Sequence, residues 1–251
     1  MSGLLDAVGF LTRIPVGKRP PEPTAAIPWF PIVGAIVGAA VAAVCVGIGM
    51  ILPSFLAATM AVTTGLVVTG ALHEDGLADT ADACGGAHTQ PQALRILDDP
   101  TLGTYGVAAL TISIVTRIGS IASLEGWTAL AVVAAAHALG RTSAVMLLAI
   151  TPAVRSEGLG HEVRRSRARI PLFAVVIGLA ATGILIGFWA LPATILALLG
   201  TVTTSQLATH KIGGSSGDVA GAAEQVTEIL ILLLGAAAVA NGWLDPAWWA
   251  P

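Results

Sequence analysis

The sequence predicts an all-α, polytopic transmembrane helical bundle of about seven spans, preceded by an N-terminal helix at the membrane interface. Three observations carry that expectation. Uncharged runs long enough to cross a bilayer recur along the chain: 55% of its 251 residues are hydrophobic and only 11% are charged, and mean hydropathy is +0.84, unlike a soluble domain. Glycine, at 29 residues, and alanine fill those runs, as close helix packing in lipid requires. Lysine and arginine lie in alternate connections or in spans entered from them, the pattern that sets orientation in a bilayer.

A single integral-membrane domain is expected over 1–251, with an interfacial helix and proline-rich link in 1–31 and the bundle in 32–243. Residues 3–11 are apolar on one side and too short to span, which suits a helix lying in the interface. Thr12, Arg13, Ile14 and Pro15 end it. Residues 17–31 hold five prolines (Pro20, Pro21, Pro23, Pro28 and Pro31), so an extended link is expected, with Trp29 and Phe30 near the headgroups. Arg13, Lys18 and Arg19 follow the first apolar stretch, an order unlike a cleaved secretory leader.

Spans are then expected at about 32–52, 54–72, 105–124, 128–150, 171–190, 193–209 and 226–243. Pro53, Glu125-Gly126 and Leu191-Pro192 mark tight hairpins, while 73–104, 151–170 and 210–225 are longer and polar. With the N-terminus in the cytoplasm, every lysine and arginine lies in the link, in those three longer segments, or in a span entered from them. The positive-inside rule therefore places the polar segments on the cytoplasmic face. Residues 155–169 contribute five arginines (Arg155, Arg164, Arg165, Arg167 and Arg169), for which a topogenic role and phosphate contact are both open. Net charge is -3, and nothing is basic enough for nucleic acid. Cys45 and Cys84 form no disulfide or zinc pattern.

Chemistry concentrates in residues 73–86, His-Glu-Asp-Gly-Leu-Ala-Asp-Thr-Ala-Asp-Ala-Cys-Gly-Gly, where Glu74, Asp75, Asp79 and Asp82 fall within nine positions. On a helix, Asp75, Asp79 and Asp82 lie at i, i+4 and i+7 and share one face. Three like charges on one face repel unless a cation joins them, and Mg²⁺ takes carboxylate oxygens together with substrate phosphate oxygens. The bland alternative is a solvated helix start with Asp75 as a cap.

Further along, Asp99 with Gly103, Thr104 and Gly106 stands where a span begins; backbone N–H groups there could meet an anion, although a plain turn explains the pattern equally. Arg117 and Arg141 would sit roughly 15–18 Å deep in their spans at 1.5 Å per residue, where a charge needs a partner or a wet cavity. A structural ion pair with one of the acids and a cationic wall for a polyanion are the two readings. His137, one turn before Arg141, is read as satisfied packing or a member of that cavity. Lys211, Gly213, Gly214, Ser215, Ser216, Gly217 and Asp218 form a glycine-rich, cation-bearing loop ahead of the last helix, which then carries Glu224 and Glu228 at i and i+4. Two acidic faces with facing cations would suit a diphosphate held through Mg²⁺.

These segments resemble the cobalamin 5'-phosphate synthase family (adenosylcobinamide-GDP ribazoletransferases). The resemblance rests on Phe10-Leu11-Thr12-Arg13-Ile14-Pro15, Phe30-Pro31-Ile32-Val33-Gly34, the stretch 73–82, residues 99–106, Gly140-Arg141, Arg155 with Glu157-Gly158-Leu159-Gly160, and residues 213–228. It runs almost the full length. One departure is Glu74, where the family usually reads His-Leu-Asp-Gly; another is Tyr105, where some members carry histidine. The resemblance implies a glycotransferase-type, Mg²⁺-dependent phosphotransferase of a bacterial cytoplasmic (inner) membrane. A ribazole hydroxyl would attack the phosphate on cobinamide in adenosylcobinamide-GDP and expel GMP, forming adenosylcobalamin or its 5'-phosphate. It implies metal ligation by Asp75, Asp79 and Asp82, completed by Glu224 and Glu228, with His73 or a carboxylate as base. Phosphate or substrate contacts would come from Arg13, Gly85, Gly86, Asp99, Gly103, Arg117, Arg141, Lys211, Gly213, Gly214 and Asp218. Partners would be the two substrates and the bilayer, with a homo-oligomer and other cobalamin-assembly enzymes as candidates. The alternatives are a CDP-alcohol phosphotransferase, whose Ala-Arg pair is missing after Asp82; a prenyltransferase, for which Asp75 and Asp79 supply half of the expected acidic pattern; and a transporter.

Overall fold

The computed structural model describes residues 2–17 and 22–243. Lys18, Arg19, Pro20 and Pro21 of the expected link lie outside the described residues, as does the tail after 243. Among the described residues the chain is helical, with one isolated bridge between Ala153 and Ser215. The helices are α1 (Ser2–Leu11), α2 (Pro23–Ala26), α3 (Phe30–Gly49), α4 (Ser54–Thr69), α5 (Leu72–Gly86), α6 (Gln90–Leu97), α7 (Thr104–Ala122), α8 (Gly126–Ile150), α9 (Leu159–Arg165), α10 (Arg169–Ile186), α11 (Ala190–Lys211) and α12 (Gly217–Ala240).

α8 is the axis of the bundle, and every residue from 131 to 145 on it is buried. Its alanines leave room for neighbours to approach at backbone distance. α3 does so through Gly34 and Gly38: a Cβ on Gly34 would lie 2.5 Å from the His137 carbonyl oxygen, and one on Gly38 would lie 2.7 Å from that of Val133. This spacing of small residues lets dispersion forces and short contacts hold helices together where lipid removes most of the hydrophobic drive. α12 packs on the same axis, with Gly140 beside Glu224 and Gly235 against Val132.

Five stretches are long and apolar enough to cross a membrane, or six with the bent pair α4–α5, fewer than the seven expected. The difference lies in Arg169–Lys211, one stretch of 43 residues, which as a straight helix would be about 65 Å long, twice a bilayer core. Gly178 on α10 packs against Thr142, and Thr201 on α11 meets the Ser143 hydroxyl. Both helices therefore pass the same level of α8, and the 3-10 turn Gly187–Trp189 folds one back beside the other. The expected break at Leu191-Pro192 is corrected to this turn, where Gly187 takes φ +53°. Pro192 sits in the first turn of α11, where its missing N–H costs nothing.

One further expectation is corrected. The proline link is helical where described, because Pro23 opens α2, Pro28 lies in a 3-10 turn and Pro31 occupies the first turn of α3. The polar segments 73–104 and 210–225 carry α5, α6 and the start of α12, so the acids of 73–82 and Glu224 lie on helices as their spacing suggested.

The end of the bundle that carries the acids of 73–82 is shaped by the break between α4 and α5. Gly70 (φ +66°) and Ala71 (φ +57°) are both left-handed, and α5 leaves α4 at 90°. Ala71 is the one non-glycine residue with positive φ among those described, a conformation that costs an L-residue on the order of 1–2 kcal/mol. The Arg13 backbone N–H donates to the Val68 carbonyl at 2.8 Å, and its guanidinium packs on Gly70. The turn lays α5 across the end of the bundle instead of through it.

Candidate active site

α5 crosses the start of α12 at two glycines. A Cβ on Gly76 would stand 2.6 Å from the Asp218 carbonyl oxygen, and one on Gly221 would stand 3.2 Å from that of His73. This contact brings Asp75 and Asp79 of one helix to Asp218 in the first turn of the other. Asp75 is exposed and Asp79 half-buried, and neither carboxylate makes a hydrogen bond or ion pair among the described residues. Burial first, then the neighbouring Asp75, Asp218 and Asp82 carboxylates, push the Asp79 carboxyl up to about 6. The rim thus gathers negative charge without a cation of its own.

The expected third ligand departs from this group. Asp82 is buried, and its Oδ2 accepts the Gly103 N–H at 2.8 Å while Oδ1 accepts the Gly106 N–H at 2.9 Å. It caps α7 and fastens the 98–103 loop to α5, so its carboxylate faces backbone donors at the positive end of a helix. The i, i+4, i+7 spacing is real, but its last member turns to a different neighbour. Asp218 takes its place at the rim, held by a 3.1 Å bond from the Ser216 hydroxyl.

Glu224 and Glu228 lie further along α12, wholly buried, and their partners are arginines. Arg141 Nη1 pairs with Glu224 Oε1, donates to Glu228 Oε2 at 3.1 Å and meets His137 Nδ1 at 2.8 Å. Arg117 reaches Glu74 Oε1 at 2.6 Å and Glu228 Oε1 at 2.9 Å. Gln225 ties the two halves, donating to Glu74 at 3.3 Å and to Glu224 at 3.0 Å. Both deep arginines are therefore held in buried ion pairs. Glu74 points inward to Arg117 and away from the rim.

Among the described residues, one group of three ligand-type side chains already has its atoms within 4.8 Å of one another: His137, Glu224 and Glu228. Arg141 Nη1 contacts all three, so a guanidinium occupies the position a metal would take. Glu224 and Glu228 thus stand in the core with Arg141, apart from Asp75 and Asp79 at the rim.

Two chambers open at the rim. One, of about 140 Å³, is walled by Phe10, Leu11, Phe30, Leu72 and Ala144 and ends on His73, Asp75, Arg141 and Asp218. The other, of about 210 Å³, is lined by Arg155, Glu157, His161, Ser215, Ser216 and Asp218. They share Leu159, Gly217 and Asp218. His73 is buried at the first chamber, with Nδ1 3.9 Å from Glu224 Oε2.

The remaining expected contacts line neither chamber. Arg13 stays at the α4–α5 turn. Gly85 packs under the Tyr105 ring, Gly86 is beside Ile96, Gly103 serves Asp82, and Asp99 binds the Thr101 N–H at 2.9 Å. Lys211 ends α11. Gly213 and Gly214 take φ of +97° and +157° and bring Ser215 to Pro152, whose carbonyl accepts the Ser215 N–H at 2.7 Å. These glycines shape the floor under α12; they do not touch a chamber. Arg155 and His161 escaped the sequence reading as chamber residues, although Arg155 stood in the arginine-rich segment that pointed to phosphate.

The family model described as cobalamin-5-phosphate synthase matches residues 3–236. A Bradyrhizobium diazoefficiens protein named adenosylcobinamide-GDP ribazoletransferase is 37% identical over 244 residues, covering 94% of each chain. Proteins of the same name from Azorhizobium caulinodans and Chlorobaculum tepidum are 36% and 35% identical, covering 90% and 100% of this chain and 92% and 99% of their own. No solved structure matches the chain at a significant level. A match of this length, with every rim and core residue described above inside it, means that the chain belongs to the cobalamin-5-phosphate synthase family.

Proposed function

We propose that this chain joins the phosphocobinamide group of adenosylcobinamide-GDP to α-ribazole or its 5'-phosphate and releases GMP, at the rim where α5 crosses α12. The family match and the names of the relatives support the reaction and do not favour the phospholipid-forming or transport alternatives. The observation that carries the site is the meeting of Asp75, Asp79 and Asp218, with no cationic partner among the described residues, beside Arg141 and His73.

Mg²⁺ fits this donor set. The rim offers only hard carboxylate oxygens, and such sites use one or two carboxylates together with phosphate oxygens of the substrate, so the side chains need not converge on their own. Asp75, Asp79 and Asp218 would hold the ion. When bound it neutralises charge on the diphosphate. Arg141 fixes a phosphate oxygen at the chamber end, its own position set by Glu224 and Glu228. His73, buried beside Asp75, takes the proton of the attacking hydroxyl. The attack forms the oxygen–phosphorus bond to cobinamide phosphate as the bond to GMP breaks.

The reading places the rim and the N-terminus on the cytoplasmic face of a bacterial inner membrane, supported by the arginines and lysines collected at that end. It also includes assembly with a second copy or with other cobalamin-forming enzymes, which native mass spectrometry would measure. The central test is purified protein in lipid vesicles with adenosylcobinamide-GDP, α-ribazole 5'-phosphate and Mg²⁺. GMP should appear with the metal and vanish with a chelator. Absence of GMP under all metal conditions would overturn the reading.

A further inference from the structure

The two chambers differ in character, and that difference separates the two substrates. The smaller is apolar along its length, with the Phe10 and Phe30 rings stacked at 5.3 Å between centroids and 26° between planes. Its volume of about 140 Å³ is close to the roughly 150 Å³ at which a cavity lined by aliphatic and aromatic side chains accepts a benzene ring. Its inner end is polar, with His73, Asp75, Arg141 and Asp218 gathered there. An occupant must therefore be apolar and flat at one end and carry hydroxyls at the other. A lipid acyl chain satisfies the walls but offers no polar partner to the Asp75 and Asp218 carboxylates or the His73 ring, whose desolvation is costly. An aromatic-base nucleoside satisfies both.

We propose that this chamber is the acceptor subsite, which seats the aromatic base of α-ribazole on Phe10, Phe30 and Leu72 and presents its ribose hydroxyl to His73 and Asp75. The inference rests on the reaction proposed above and adds to it where the acceptor binds. The second chamber, with Arg155, His161 and Ser215, then remains for the polar nucleotide end of the donor. Since Asp218 borders both chambers, the two substrates meet where the phosphate is exchanged. Base stacking against a fixed aromatic wall explains how a nucleoside without a diphosphate is held in place.

Leu72 is 42% exposed, so changing it fills or empties the chamber without dismantling the bundle. In Leu72→Trp the KM for α-ribazole should rise by about tenfold or more while that for adenosylcobinamide-GDP stays within about twofold. Phe30→Ala should shift the same constant in the same direction by about tenfold. An equal rise in both constants, a rise in the donor constant alone, or no change in Leu72→Trp would overturn the proposal, the last being the result expected if an acyl chain fills the chamber. Equilibrium dialysis of α-ribazole against the detergent-solubilised protein reads the chamber without turnover. Binding by the unmodified chain that Leu72→Trp weakens about tenfold supports the subsite even if no GMP is released, in which case the reaction reading alone falls. Failure of the unmodified chain to bind α-ribazole overturns the subsite.

Discussion

Of the seven acids on α5 and α12, Asp82 caps α7 and the other six divide into two groups with opposite fates. Glu74, Glu224 and Glu228 point into the bundle and are met there by Arg117 and Arg141. Asp75, Asp79 and Asp218 face the rim, where among the described residues no guanidinium pairs with them. The chemical group is the same in both. What differs is whether the fold supplies the counter-charge. A carboxylate whose partner is built in is closed to a metal, because an incoming ion would have to displace an arginine and leave it buried and unpaired. A carboxylate left with like charges for neighbours is poised to take one. α12 carries both kinds, with Asp218 in its first turn and Glu224 about 9 Å further along the axis.

Breaking the rim should have the largest effect. Asp79→Ala should cut GMP release by at least about a hundredfold while the bundle stays folded; near-normal turnover would dissolve the distinction between the groups. Breaking the core should act on stability instead. Glu228→Ala takes a shared carboxylate from both buried guanidiniums, leaving Arg117 only Glu74 and Arg141 only Glu224, and should lower unfolding free energy by about 3–5 kcal/mol, read from thermal melts in detergent. Glu74→Gln sharpens the comparison, because Arg117 keeps Glu228 as a partner; its cost should be about 1–3 kcal/mol.

Acidity gives a further separation. The Asp79 carboxyl is raised to about 6, so it is charged above that pH and protonated below it. Mg²⁺ competes with that proton, and its affinity should rise with pH up to about 6 and level off above. Between pH 5 and pH 7.5 the apparent Mg²⁺ constant for GMP release should change about tenfold, and a flat profile would show that Asp79 is not a ligand. The smallest effect belongs to the exposed pair of Asp98 and Arg155, whose side chains are 64% and 46% accessible. Asp98→Asn should alter stability by less than about 1 kcal/mol.

Much of this was legible in the chain. The uncharged runs announced a membrane bundle, and acid density marked residues 73–82 as the stretch where negative charge collects at its end. Helical spacing correctly put Asp75 and Asp79 together. It could not show that Asp82 would cap α7, since that depends on Gly103 and Gly106, more than twenty residues away, presenting their N–H groups. Nor could it show that Glu224 and Glu228 would be paired. Their partner Arg141 lies more than eighty residues away on α8, and charges on separate helices carry no mark of which will face which.

The sequence by itself therefore determined the class of fold, the helices and the stretch where negative charge collects, because hydropathy and spacing act locally. Tertiary structure alone decided which carboxylates are available. Two left-handed residues after α4 turn α5 across the bundle, and glycines at both crossing points let it touch α12. That contact, in which backbone meets backbone with no side chain between, is what carries Asp218 to the rim and leaves Glu224 in the core.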